Sequence, residues 1–138
     1  MRVGLAPGLL SSVRIVVADA DTATAVGSGD VPVLATPRLL ALAEAAAVAA
    51  ISPSLQPGLT SVGTSAVIEH TRPSPVGATI TVQAELSEVD GRRLVFRFIA
   101  RQQQPRGSPG DEGAVVGEGT MQRVLVDRER FVSRAGLA

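Results

Sequence analysis

Hydrophobic and polar positions change their period along the chain, and the changes divide it into elements. VRIVVADA, residues 13–20, is rich in β-branched residues and predicts a first strand. Residues 21–35 carry Gly27, Gly29 and Pro32 and predict a loop. Thr36-Pro37 then has the form of a helix start, Thr36 as N-cap and Pro37 at the first helical position, with a helix running to about Ile51. SPSLQPG at 52–58 ends it. That helix is apolar nearly all round, which predicts burial on most faces.

Beyond it the period becomes two. TSVGTSAVIEHT (60–71) is a strand candidate and RPSPVG a turn. In ATITVQAELSEVD (78–90), Ile80, Val82, Ala84 and Leu86 alternate with Thr79, Thr81, Gln83 and Glu85. Asp90-Gly91 signals a hairpin. RRLVFRFIARQ (92–102) alternates again, QQPRGSPGDEG is a polar loop, and AVVGEGTMQRVLVD (114–127) is the last strand. The tail from Arg128 is polar apart from Phe131. The order is one strand, one buried helix, then four strands in meander. A single helix among five strands points to an α+β domain, residues 1–138, whose antiparallel sheet curls around the helix.

Composition narrows the chemistry. Thirteen acidic and thirteen basic residues are spread along the chain, leaving no electrostatic footprint for nucleic acid or an anionic membrane. No apolar run is long enough to span a bilayer, and MRVGLAPGLLSSVR makes a poor signal peptide, so a cytoplasmic protein is expected. Every basic residue is arginine, which codon drift explains. Without Cys and Lys there is no thiol nucleophile, thiolate metal site or Schiff base. One histidine cannot build the usual multi-histidine metal site, so no metal or prosthetic group is expected. Catalysis would rest on carboxylates, hydroxyls, arginines, backbone amides and His70.

One carboxylate stands out. Between Leu39 and Ile68 the sole charged residue is Glu44, in the middle of the apolar helix. Taking a carboxylate out of water costs several kcal/mol (roughly) unless it is paired or neutralised. Burial there would raise its pKa and make it a better base or nucleophile. The bland alternative is a hydrogen-bonded or rim carboxylate. Thr36 has a rival reading as a helix cap, and His70 as a structural strand residue. Eight residues of helix rise about 12 Å, too far for a direct Thr36–Glu44 bond. Either Thr36 folds back over the helix, or the two act on different parts of a substrate.

Thr36, Glu44 and His70 stand 8 and 26 residues apart, with SVGT at 61–64 between the last two. TSVGTSAVIEHTRPSPVGATITVQAELSEVDGRRL closely resembles the fluoroacetyl-coenzyme A thioesterases, a family of hot-dog proteins, and the likeness covers most of residues 33–127. The resemblance implies a hot-dog fold, with Thr36, Glu44 and His70 as the catalytic group. It implies substrate contact at Gly63, and at Arg123 a contact near the coenzyme A tail. Their bland readings are a bulge glycine and a solvated strand arginine. The aromatic residues that close the acyl pocket in that family are not recognisable between residues 19 and 35, so fluoroacetyl specificity is not implied.

The expected protein is therefore a homodimeric thioesterase acting on a small acyl-coenzyme A or acyl-carrier thioester. Glu44 would be nucleophile or water-activating base, His70 the proton carrier, and Thr36 an orienting hydroxyl. Amides at the helix start would receive the oxyanion. The alternative is a non-catalytic hot-dog module that binds an acyl thioester or another small apolar ligand. A hydratase of the same fold fits less well, since those enzymes pair an Asp with a His five residues later and position 65 is Ser65.

Overall fold

The computed structural model describes residues 5–104 and 112–136, so most of the polar loop expected at 103–113 lies outside the described residues. In chain order the elements are β1 (Leu10–Val16), α1 (Ala23–Val26), α2 (Thr36–Ile51), β2 (Leu59–His70), β3 (Thr79–Asp90), β4 (Arg93–Gln102), β5 (Ala114–Asp127) and α3 (Arg128–Arg134). All strand pairs are antiparallel, in the order β1-β3-β4-β5-β2.

The alternation read from the sequence is the alternation of the core. Ile80, Val82, Ala84 and Leu86 of β3 and Leu94, Phe96, Phe98 and Ala100 of β4 are buried, facing α2. The hairpin forms around Gly91 (φ 60°), with Asp90 paired to Arg93. β1 starts and ends earlier than expected. Asp21 Oδ2 accepts from the amide of Ala18 at 2.8 Å, which curls residues 19–21 into a 3-10 turn instead of extending the strand. The expected loop also holds one helical turn, α1, capped by Thr22. The polar tail forms α3, started by the Asp127 carboxylate on the amide of Arg130.

Two expectations need correction. β2 does not continue a four-strand meander; it pairs with β5 at the far edge of the sheet. Pro73 and Pro75 prevent a tight hairpin, and the link to β3 instead runs past the start of α2, where the Ser74 carbonyl accepts from Leu34 at 2.9 Å. Nor is α2 buried on most faces. Leu39, Leu42, Ala43, Ala46, Ala47, Ala50 and Ile51 form one buried stripe, whereas Ala41, Ala45, Val48 and Ala49 are exposed. Hydrophobicity all round the helix gave no sign of which side the sheet covers. Among the described residues no helix is long and apolar enough to cross a membrane.

Candidate active site

Thr36 is not the cap of α2. Ala35 is the N-cap, with no side-chain capping bond, and Thr36 is the first helical residue. Its hydroxyl is thereby free to reach sideways, and Oγ1 lies 2.8 Å from Nδ1 of His70 at the end of β2. Burial holds the His70 pKa below the ordinary imidazole value, and the backbone of Arg72 opposes that shift in part. The ring is therefore neutral at pH 7. Its Nε2 is buried and has no hydrogen-bond partner among the described residues.

The same helix end carries unspent donors. The first turn has no acidic residue, and Pro37 contributes no N–H. Leu39 is the first residue to donate into the helix, to Ala35 at 2.9 Å, so the amides of Thr36 and Arg38 have no acceptor among the described residues. Two unpaired amides at a helix N-terminus suit a developing oxyanion. Arg38 is itself fixed by Asp21, whose Oδ1 accepts from Nε at 2.8 Å. That hydrogen bond, with the Ala18 amide, lowers the Asp21 pKa. A cleft of 540 Å³ opens over Thr36 and His70, lined also by Ala23, Val33, Leu34 and Arg72.

Glu44 belongs to a second cluster. Its side chain is 44% exposed, so the expectation of a carboxylate buried in the apolar helix fails in the single chain, where the exposed side of α2 leaves it in contact with water. It is partnered: Arg123 Nη1 donates to Oε2 at 3.3 Å. Arg123 is 7% exposed and far from the solvated strand residue of the bland reading. Its Nε donates to Ser61 Oγ at 2.8 Å and its Nη2 to the Ser61 carbonyl at 3.0 Å. Burial lowers the Arg123 pKa and the Glu44 carboxylate opposes the shift. A guanidinium so engaged holds Glu44 in place within the single chain.

Gly63 is what lets the carboxylate sit there. A Cβ at this position would stand 2.7 Å from Glu44 Oε2 and 3.4 Å from Arg123 Nη1. The close approach to bare backbone expected at Gly63 is made, in the single chain, by Glu44. Gly63→Ala should fold normally, because the displaced atom is the tip of a flexible side chain, yet move the carboxylate off Arg123. We expect at least about a tenfold fall in turnover, from the sensitivity of catalysis to ångström-scale misplacement. A variant with parental turnover and parental melting temperature would show that this placement does not matter.

The chain brings Thr36 to His70 and Glu44 to Gly63 and Arg123, but it does not join the two groups. Gly63 and His70 are seven residues apart on one strand, roughly 20 Å at the rise of extended backbone. Ser61 escaped the sequence reading, since only the pairing of β2 with β5 makes it a same-face neighbour of Arg123. Arg38 escaped it too, since its bond to Asp21 spans 17 residues and has no local signal.

Residues 17–129 match the model of the family FlK, fluoroacetyl-CoA-specific thioesterase. The chain belongs to this family. A fluoroacetyl-CoA thioesterase of Streptantibioticus cattleyicolor is 39% identical over 99 residues, 72% of this chain and 65% of that protein, so the match spans just under two thirds of the relative's length. A threonine-to-serine variant of FlK solved in complex with acetyl-CoA is 30% identical with a TM-score of 0.81, over 96% of this chain and 97% of the other. A hot-dog-like protein from Thermanaerovibrio acidaminovorans, 24% identical, superposes with a TM-score of 0.80 over 94% of this chain and 90% of its own. The family's fold, a five-stranded antiparallel sheet around a central helix, is the hot-dog fold found here.

Proposed function

We propose that this protein hydrolyses acyl-coenzyme A thioesters, with Thr36, Glu44 and His70 as its catalytic group. The observation that carries the reading is the 2.8 Å contact between Thr36 Oγ1 and His70 Nδ1, set beside the unpaired amides of α2. Membership of a thioesterase family supports the same reaction. The thioester carbonyl oxygen sits on the Thr36 and Arg38 amides, which receive the negative charge as the carbonyl carbon is attacked. Glu44 attacks directly or takes a proton from the attacking water. One water supplies the hydroxide of the acid product and, when the C–S bond breaks, the proton of the coenzyme A thiol; neutral His70, held by the Thr36 hydroxyl, accepts that proton and passes it to the thiolate.

The two clusters meet in a homodimer. β2 is an edge strand whose residues Gly63 to Val67 are all exposed, with Val67 at 66%, a stretch that invites pairing with a second chain. Antiparallel pairing about a two-fold axis centred on Ala66 or on Val67, each facing its own copy, brings the Gly63 stretch of one chain beside His70 of the other. Glu44 of each protomer then faces the Thr36–His70 pair of its partner. The reading also carries a single domain, no metal or prosthetic group, and a cytoplasmic protein.

Single-turnover thiol release from a panel of acyl-coenzyme A esters tests the activity. Hydrolysis of several short acyl groups is expected; binding without release would leave the non-catalytic module. Fluoroacetyl-coenzyme A should show no large preference over acetyl-coenzyme A. The chain has no Trp or Tyr, and Phe96, Phe98 and Phe131 lie on β4 and α3, away from the cleft. A preference of several orders of magnitude would overturn this account of the pocket.

A further inference from the structure

We infer that Arg72 selects thioesters whose acyl group ends in a carboxylate. The inference rests on the thioesterase reading and names the substrate class of that same site. Arg72 lines the cleft over Thr36 and His70, and among the described residues lining it no other carries a full charge at neutral pH, since His70 is neutral. Arg38, in the first turn of α2, is engaged by Asp21 at 2.8 Å, whereas no carboxylate or carbonyl among the described residues accepts from the Arg72 guanidinium. Arg72 is exposed at the cleft, and an unpaired guanidinium there can receive a planar anion through two parallel N–H groups.

The backbone beneath it is fixed. The amides of Thr71 and Arg72 both donate to the Val116 carbonyl, at 2.9 and 3.2 Å, at a bend just past the end of β2. The side chain therefore leaves from a set point two residues after His70.

Coenzyme A offers phosphates, and an acyl group can offer a carboxylate; length separates them. The nearest phosphate is about a dozen bonds from the thioester sulfur, roughly 15 Å when extended. A cleft of 540 Å³ is only ~10 Å across, comparable with sites that enclose small molecules. A carboxylate at the end of a five-carbon acyl chain lies ~5 Å beyond the carbonyl carbon, within the same cleft. The charge therefore belongs to the acyl side.

The test compares glutaryl-coenzyme A with pentanoyl-coenzyme A, matched in carbon number, with uncatalysed hydrolysis subtracted. In the parent, kcat/KM should favour the glutaryl ester by at least about tenfold, the size of a charge-assisted hydrogen bond in a part-open site. Arg72→Leu should bring the ratio to near one, chiefly through KM for glutaryl-coenzyme A, and Arg72→Lys should keep part of the preference. Three results would overturn the inference: a parent ratio near one, a ratio that Arg72→Leu leaves unchanged, or an equal rise of KM for both esters with weaker binding of free coenzyme A. The last would assign Arg72 to a phosphate. If the parent hydrolyses neither ester, the thioesterase reading fails separately. Calorimetry with the uncleavable carboxybutyl and pentyl thioethers of coenzyme A then decides the role of Arg72 by the same ratio.

Discussion

Glu44→Gln should fold and lose at least about a hundredfold in turnover, the low end for removal of a positioned acid, base or nucleophile. Glutamine fills the same space beside Gly63 and keeps an oxygen for Arg123, so the shape of the site survives while the negative charge and the proton acceptor do not. The effect on stability differs from what the lone carboxylate in an apolar helix suggests. A desolvated, unpaired Glu44 would cost stability, and its replacement would raise the melting temperature. In the structure the buried partner is Arg123, at 7% exposure, and its positive charge is balanced by Glu44. Neutralising Glu44 leaves that guanidinium with Ser61 and a neutral amide oxygen, its charge no longer balanced. Because the Glu44 side chain is itself 44% exposed, solvent screens much of the loss, and about 1 kcal/mol of destabilisation is expected, a few degrees in melting temperature. Circular dichroism melts beside single-turnover assays read both quantities. A stable variant with full turnover would remove the carboxylate from the mechanism, and an unfolded one would make it a structural anchor.

The parts of this fold legible in the sequence are those set by near neighbours. Alternation placed β3 and β4 in register with their buried faces, and Asp90-Gly91 placed the hairpin, because both are decided within a few residues. Pairing across distance was not legible: nothing in β2 says that its partner is β5, and from that pairing follow the burial of Arg123, its bonds to Ser61 and its contact with Glu44. Thr36 shows the same limit at one-residue scale. Thr-Pro reads as a cap followed by the first helical residue, yet the cap is Ala35, and the shift of one position turns a structural hydroxyl into the partner of His70. The exposed, charge-poor side of α2 and the exposed run in β2 were not legible either, because which face of an all-apolar helix and which edge of a sheet stay open is set by the fold and not by local sequence.

Mixing two inactive proteins should restore activity, and this is the sharpest consequence of a site split between protomers. Glu44→Gln removes the carboxylate from each of its sites, and His70→Ala removes the imidazole from each of its own, so both homodimers should be nearly silent. In a heterodimer, one site receives both substitutions together and is dead. The other receives Glu44 from the His70→Ala chain and His70 from the Glu44→Gln chain, and is complete. Random exchange of equal amounts makes half the dimers mixed, each with one working site of two, so about a quarter of the parental activity should return. Light scattering of each variant should report a dimer first, since a strict monomer at micromolar concentration would exclude exchange and count against the paired β2 edges. The double variant in one chain should return nothing when mixed with itself, because groups acting as a unit are not additive. Were Glu44 and His70 to act within one chain, every mixed dimer would hold two broken sites. Dimers that exchange subunits, shown by mass spectrometry of differently tagged chains, yet stay silent would overturn the split site while leaving the activity itself to the acyl-coenzyme A panel.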